Sequence, residues 1–458
     1  MPLGDRIALR PSVYTIVVPR SAGTIALYNT STGNYQPLSA ALQEVWDRAD
    51  TLEALQAAGS EALKLFAAGF LVEADLDEVS AVQTAWQLTR GLRARPKLTI
   101  APTIDCNFGC AYCFETHKRG AMTERTQAAL LRFIDSVMLS DLTDRALSVS
   151  WFGGEPLLAM PVIRALSAEF AARTQDGRLS ALDANIITNG FLLDAAAAKE
   201  LRSLGVSAAQ VTLDGAREVH DQRRHLKVRG GATFDRITQN LLGVVEHLDV
   251  NIRVNTDRTN ASSIIALCEE LEAMGLIQRV RVNIAPVDPF REGEQGSENL
   301  LSPEEFADLE LMLRVTGQAR GWPISGSAPS PSITGVCQVD HSNAFVVAPS
   351  GELMKCWAEL GNNPHVVAHL HDEGSWTRIQ PTALTERDPF DDDECVKCQV
   401  LPLCMGSCPL LRHGHRATGS KRCPSWKHHA ARIAVERFGD SVAINRWVRS
   451  PPETGVQP

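Results

Sequence analysis

Cys106-Asn107-Phe108-Gly109-Cys110-Ala111-Tyr112-Cys113 lies just beyond an apolar, β-branched run at 97–103. Three thiolates in this C-x3-C-x2-C spacing can wrap one iron-sulfur cubane and leave its fourth iron without a protein ligand. An open iron is the position that a chelating cofactor or substrate needs. Zinc is the alternative for clustered cysteines, but a structural zinc site is normally closed by a fourth Cys or His. His117 is the nearest residue of that kind.

Working outward, runs at 97–103, 147–152, 185–188, 210–213, 251–255 and 280–284 read as strands. They alternate with helical patterns of about 12 to 18 residues, the signature of a parallel sheet with crossover helices. Six such units predict an α/β fold, a partial (β/α)6 TIM barrel with one side open. Each strand runs at its C-terminal end into polar or glycine-rich residues, the face where such barrels carry their chemistry. Those residues are Gly153-Gly154-Glu155-Pro156, Thr188-Asn189-Gly190, Thr212-Leu213-Asp214-Gly215 and, further on, His220-Asp221-Gln222-Arg223-Arg224. Asn255 and Asn283, at or near the ends of the fifth and sixth strands, are candidates to line the same pocket.

Taken together these residues resemble the radical S-adenosylmethionine (SAM) superfamily, whose three-cysteine loop carries an aromatic before its last cysteine, here Tyr112. The resemblance implies a [4Fe-4S] cluster on Cys106, Cys110 and Cys113, with SAM chelated on the open iron. It further implies that Gly154 and Glu155 belong to the motif that binds the methionine amino group, where an anionic glutamate suits an ammonium. Thr188 and Asn189 match further superfamily positions. In the sulfatase-maturase branch, the match of Thr212 contacts the ribose and that of Arg224 the carboxylate. The implied chemistry is homolytic: one electron splits the sulfonium, and a 5′-deoxyadenosyl radical abstracts hydrogen from an unactivated carbon, the protein contributing position and exclusion.

A second cysteine set, Cys337, Cys356, Cys395, Cys398, Cys404, Cys408 and Cys423, reproduces in order the SPASM extension of radical enzymes. By that resemblance Cys395, Cys398, Cys404 and Cys423 close one auxiliary [4Fe-4S] cluster, and Cys337, Cys356 and Cys408 hold another, which makes three clusters in all. Two departures from the sulfatase maturases matter. The stretch 326–336 lacks their additional cysteine, which leaves an iron that is open or held by a group such as Asp340 or His341. Trp357 stands where they carry a catalytic Asp directly after the cysteine matching Cys356. Cys268 falls in a helical pattern and reads as a small buried residue.

The 11 cysteines among 458 residues are an odd number with no export signal, a poor disulfide framework. The formal charge of −9 gives no footprint for nucleic acid. No run of about 18 apolar residues predicts a membrane span, and residues 1–10 lack a secretory series. A cytoplasmic protein is the expectation.

Residues 1–92 read as a separate winged-helix-like module, with strands at 13–18, 24–29 and 69–72 and helices at 38–47, 51–57 and 61–68. This part resembles the peptide-recognition element fused to many peptide maturases, which adds a leader peptide as a strand to a sheet edge. The expected organisation continues with the barrel at 93–310, a helix near 303–316, a Gly/Ser/Pro linker, the cysteine-rich iron-sulfur (SPASM) domain at 325–430, and a helix and tail at 431–458 with 450–458 disordered.

The function these resemblances imply is a cross-link, a thioether ahead of a carbon–carbon bond, in a ribosomally made precursor peptide or small protein. A one-electron reductant such as flavodoxin or ferredoxin would be a partner. Oxidation of Ser or Cys to formylglycine is the alternative within enzymes, opposed by Trp357, and a non-catalytic iron-sulfur redox or scaffold protein is the alternative outside them.

Overall fold

The computed structural model describes residues 7–439 apart from 21–22, 92–94, 141, 229, 289, 291–296, 327–336, 362–364, 372–373, 416–422 and 425–426. The expected tail at 450–458 and most of the linker at 326–336 lie outside the described residues.

The chain opens with β1 (Leu9–Pro11), β2 (Thr15–Pro19), β3 (Ile25–Asn29), β4 (Tyr35–Pro37), α1 (Ala40–Arg48), α2 (Leu52–Ala57), α3 (Ser60–Ala67), β5 (Leu71–Glu73) and α4 (Glu78–Gly91). Ser39 and Thr51 start α1 and α2 by accepting from the backbone N–H groups of Leu42 and Ala54, which satisfies donors the helix itself leaves free. The strands form two antiparallel sheets, β1 with β5 and β2-β3-β4. Three expected helices and three expected strands are present, while β1, β4 and α4 were not read from the sequence. Helix α4 is weakly patterned and is held by tertiary packing: Trp86 is buried with Tyr14, Leu401 and Met405.

The front segment packs both on itself and against the cysteine-rich region. Leu27, Leu55, Leu65 and Phe70 form a local core, but Ile16, Val18 and Tyr28 pack against Val400, Leu403, Ala434 and Val435 from the cysteine-rich region. Gln399 Nε2 donates to Thr15 O at 3.0 Å across the same boundary.

Six parallel strands follow: β6 (Lys97–Thr103), β7 (Ala146–Gly153), β8 (Ala181–Thr188), β9 (Val206–Thr212), β10 (Asp249–Thr256) and β11 (Val280–Pro286). They lie side by side in sequence order, the arrangement that successive right-handed βα units produce. Intervening helices are α5 (Glu124–Phe133), α6 (Met160–Gln175), α7 (Ala195–Ser203), α8 (Arg217–Arg223), α9 (Phe234–Val244) and α10 (Ile264–Ala273). One core unites both layers, with Ile100, Val149, Ile186, Val211 and Ile252 from the strands meeting Leu130, Ile163, Leu201, Ile237 and Leu267 from the helices. Cys268 sits in this core with no exposure, as expected.

Helix α11 (Pro303–Arg320) carries a capping box between Ser302 and Glu305 and outruns the expected 303–316. It ends at Gly321, whose φ of 68° is left-handed and suits glycine. Trp322 then enters the barrel core.

The side of the barrel at β6 does not end the sheet. Strand β12 (Ala344–Val347) pairs parallel with β6, and β13 (Glu352–Met354) and β14 (Ala368–His369) extend it to nine strands. Ala344 faces Lys97 and Val347 faces Ile100 in this register. The cysteine-rich region, with short helices α12 (Asp393–Val396), α13 (Leu401–Cys404), α14 (Pro409–His415) and α15 (Ala430–Phe438), is therefore fixed beside the barrel by backbone pairing.

Candidate active site

The first cysteine loop is stitched across the C-terminal ends of the strands. Gly109 N donates to His225 O at 2.9 Å and Lys227 N to Asn107 O at 2.9 Å. Phe108, between these bonds, is buried. Asn189 Nδ2, at the end of β8, donates to Asn107 Oδ1 at 2.7 Å.

Gly153 and Gly154 act on this loop through the backbone. A Cβ on Gly153 would sit 2.2 Å from Thr103 O, and one on Gly154 would sit 2.2 Å from Asp105 O. The close approach that only glycine permits is thus between the end of β7 and the segment that launches the cysteine loop.

Glu155 is fully buried. Its Oε1 accepts from Leu157 N at 3.1 Å and Thr188 Oγ1 at 2.8 Å, and its Oε2 accepts from Asn189 N at 2.8 Å. A carboxylate has about four lone-pair sites, so one on Oε2 remains for a ligand donor. Burial pushes its pKa up, against the pull of these donors and of Arg224. Thr188 and Asn189 are accordingly gathered around Glu155, while Thr212 ends β9 in register with Arg253.

Tyr112 joins the loop to the far strands. Its hydroxyl donates to Asp214 Oδ2 and accepts from Arg224 Nη1 and, at 3.3 Å, from Asn255 Nδ2. Asp214 has no exposure; its Oδ1 accepts from Asn255 N at 3.0 Å, and Arg223 and Arg224 lie 3.8 and 3.9 Å from its Oδ2. Burial raises the pKa of Asp214 and the two guanidiniums oppose that rise.

Sequence reasoning placed Asp214 and His220 within the strand-end motifs but gave them no role, and it missed Arg253. Asn251, Arg253 and Asn255 alternate along β10 with buried apolar residues. Polar residues at every second position of an otherwise buried parallel strand are a legible sign of a solvated barrel interior. Of the two asparagines expected near the strand ends, Asn255 reaches the Tyr112 hydroxyl, and Asn283 accepts from Asn251 Nδ2 at 2.6 Å.

The donor set fits a cluster and SAM. Burial pushes the Cys106 and Cys113 thiols up to about 12, with the neighbouring thiols adding to the rise, and Arg224 counters it at Cys110. Three mutually repelling buried sulfurs are held as thiolates only around positive charge. The buried N–H at Arg224 Nε has no partner and is a donor that a carboxylate would satisfy. His117 Nε2 lies 3.5 Å from Cys113 Sγ, with Nδ1 turned to Ile104 O at 3.1 Å.

The second cysteine set falls into two electrostatically coupled groups. The charges of Cys395, Cys398 and Cys423 all act on Cys404, and Arg412 Nη1 donates to Cys395 Sγ at 3.1 Å. Separately, Cys408 acts on Cys337 and Cys356. Trp357 makes ring contacts with Phe114, Phe152 and Phe290 at 5.5, 5.5 and 6.2 Å. Since Phe114 follows Cys113 and Trp357 follows Cys356, this cluster links the two cysteine regions.

The family profile of the radical SAM superfamily matches residues 100–281. The chain is 28% identical over 360 residues to a serine-type anaerobic sulfatase-maturating enzyme of Bacteroides thetaiotaomicron, covering 69% of this chain and 82% of that one. It is 29% identical over 185 residues to an Fe-coproporphyrin III synthase of Methanosarcina barkeri, a match that spans 39% of this chain and only 41% of that relative's length. Among solved structures, native anSMEcpe with bound AdoMet superposes with a TM-score of 0.57 at 19% identity, covering 77% of this chain and 99% of that one. SuiB of Streptococcus suis bound to precursor peptide SuiA gives a TM-score of 0.50 at 15% identity, covering 91% and 99%. Among the described residues no helix is long and apolar enough to cross a membrane. Residues 100–281, the barrel with its three-cysteine loop, are a radical SAM domain homologous to that of the sulfatase-maturating relative.

Proposed function

We propose that this enzyme installs a cross-link, preferentially a thioether, in a ribosomally made precursor peptide or small protein. The observation that carries the reading is the Phe114–Trp357 contact, which sets the second cysteine region against the barrel mouth. Cys106, Cys110 and Cys113 would hold a [4Fe-4S] cluster that, when bound with SAM, supplies radical-generating chemistry. Glu155 and Arg224 would receive the methionine ammonium and carboxylate, Thr212 would face the ribose, and Tyr112 would keep the loop on Asp214. Two auxiliary clusters on the remaining cysteines would take up an electron as the new bond closes. Joining a thiol to a carbon removes two hydrogen atoms from the peptide, that is two protons and two electrons; the deoxyadenosyl radical would take one hydrogen atom, the thiol proton would pass to solvent, and the remaining electron requires an acceptor beside the site.

The peptide assignment is supported by SuiB, whose structure holds a precursor peptide, and by the sulfatase-maturating relative. In this reading the front module binds a leader by strand addition and raises the effective concentration of the reacting segment, to about millimolar for a short tether. A reductant such as flavodoxin or ferredoxin would complete the cycle.

The sulfatase-type reading has its own support in the 69% of the chain that matches the Bacteroides enzyme. Trp357 opposes it, because an indole cannot serve as the proton acceptor that a carboxylate at this position provides. Anaerobic reconstitution with SAM and reductant decides between them. Formation of 5′-deoxyadenosine together with a peptide lighter by two hydrogens supports the cross-linking reading. Oxidation of a sulfatase peptide, with cross-linking substrates left unchanged, defeats it.

A further inference from the structure

We propose that Asp340 is the fourth protein ligand of the auxiliary cluster held by Cys337, Cys356 and Cys408, closing through Oδ1 the iron that the cysteine pattern leaves open. The proposal rests on the reading that these three cysteines hold a cluster.

The local geometry repeats within the chain. In Cys110-x2-Cys113 the N–H of the last residue donates to the carbonyl of the first at 3.2 Å, and in Cys395-x2-Cys398 at 3.0 Å. Cys337-x2-Asp340 closes the same turn, Asp340 N to Cys337 O, at 3.0 Å. A turn that presents two side chains to one centre when both are cysteines therefore presents a cysteine and a carboxylate here.

The carboxylate is prepared for a further partner. Asp340 is buried, with its side chain 1% exposed, and its Oδ2 is held by Arg387 Nη2 at 3.0 Å. Its Oδ1 is also buried and has no hydrogen-bond partner. A buried carboxylate oxygen left unpaired is costly, so an occupant is expected. Arg387, fixed by donation to Met405 O at 2.9 Å, would orient the carboxylate so that Oδ1 alone binds metal. His341, the other non-cysteine candidate, lies one residue beyond this turn and borders, together with Asp340, Gln87, Arg90 and Lys355, a cavity of about 340 Å³. A substrate thiolate reaching this iron would have to displace Asp340.

The test uses the full chain with Cys106→Ala, Cys110→Ala and Cys113→Ala, which removes the barrel cluster from the spectrum. After reconstitution and reduction, isotopically labelled cyanide is added and its coupling to the cluster is read by electron-nuclear double resonance. The expected result is no cyanide coupling with Asp340 present, coupling in Asp340→Ala, and its loss again in Asp340→Cys, with equal iron in all three. Cyanide coupling with Asp340 present, as strong as in Asp340→Ala, overturns the assignment and leaves the cluster reading intact. Iron content unchanged by Cys337→Ala and Cys356→Ala overturns both.

Discussion

Asn189 Nδ2 donates to Asn107 Oδ1 at 2.7 Å, tying the end of β8 to the middle of the cysteine loop. Both ends of this bond are determined locally, since Asn189 Oδ1 accepts from Phe191 N at 3.0 Å and its own N–H is held by Glu155. Asn189→Ala removes the donor to a half-buried acceptor, at a cost of about 1 kcal/mol. The expected outcome is lower iron per chain after reconstitution and a raised KM for SAM, read by iron assay and 5′-deoxyadenosine formation. Unchanged iron retention and KM would show that the loop holds its shape without this clamp.

At Gly154 the added methyl of an alanine meets Asp105 O and Ile104 O, at 2.2 and 2.7 Å. Backbone atoms cannot swing aside as a side-chain tip can, so the loop origin must move. Gly154→Ala is expected to destabilise the protein by about 1–3 kcal/mol and to lower iron loading. Gly177, whose Cβ would meet nothing within 4 Å but whose φ of 79° disfavours alanine, separates stability from iron binding: Gly177→Ala should lose some stability and leave iron loading unchanged. Thermal melts and iron counts on the two variants check the contrast.

His220 couples the site to pH. Thr233 Oγ1 donates to Arg224 O and so accepts from His220 Nε2–H at 3.0 Å, while His220 Nδ1 accepts from Asp214 N at 3.2 Å. The ring is therefore the neutral Nε2–H tautomer. Burial first, then Arg224 and Arg223, hold its pKa well below the usual histidine value. A depressed histidine stabilises the fold above the unfolded pKa of about 6.5, and that stability drains as pH falls below it, by up to about 1.4 kcal/mol per pH unit. Denaturation midpoints should fall between about pH 7.5 and pH 5.5, and less steeply in His220→Asn, which keeps an acceptor near Nδ1. An equal slope in both proteins would remove His220 as the acid-sensitive group.

The legible part of this molecule was the part in which chemistry constrains short spacing. The C-x3-C-x2-C loop, Gly153-Gly154-Glu155 and Thr188-Asn189 came out of the sequence because each sits where a strand's apolar run stops, and β6 was read at its true bounds of Lys97–Thr103. Strand β8 begins at Ala181, well before the expected 185, because its first turns are half exposed and carry Asp183 and Asn185 among apolar residues. What could not be read is what depends on long-range contact. The pairing of β12 with β6 joins residues about 245 apart in sequence, and no local pattern encodes a register at that separation. Asp214 looked like one more polar residue in a turn until Tyr112, Arg224 and Asn255, from three other segments, were brought around it.

Cys268 and Cys404 give a direct test of the division among cysteines. Cys268 lies in the barrel core, packed with the helix and strand residues around it. Cys268→Ala removes one buried sulfur at a cost of roughly 1–2 kcal/mol and should leave iron content unchanged. Cys404→Ala should lose one cluster's worth of iron while 5′-deoxyadenosine formation persists. Loss of iron from the Cys268 variant would overturn the packing role.

Trp357 touches Phe114, Phe152 and Phe290, so it meets the segment after Cys113, the end of β7 and the stretch following β11 at once. An aromatic bridge of this kind is expected to shape the path between the barrel mouth and the second cysteine region. Each well-oriented ring pair contributes about 0.5–1.5 kcal/mol beyond burial, so Trp357→Ala should cost a few kcal/mol of stability. In the proposed reading SAM cleavage rests on Glu155, Thr188 and Arg224, which are not among the ring contacts of Trp357, so its rate without peptide should be nearly unchanged. Productive alignment of the peptide should fail first. The measurable consequence is a rise in 5′-deoxyadenosine formed per cross-link, determined by chromatography and mass spectrometry on one reaction. An unchanged ratio in a folded, iron-loaded variant would assign Trp357 to packing alone. Trp357→Asp is the sharper arm: if a carboxylate were all that separates this site from formylglycine formation, this variant would oxidise a sulfatase-derived peptide. The extra contacts that Trp357 makes predict that it will not, because the surrounding rings leave the carboxylate no polar partner.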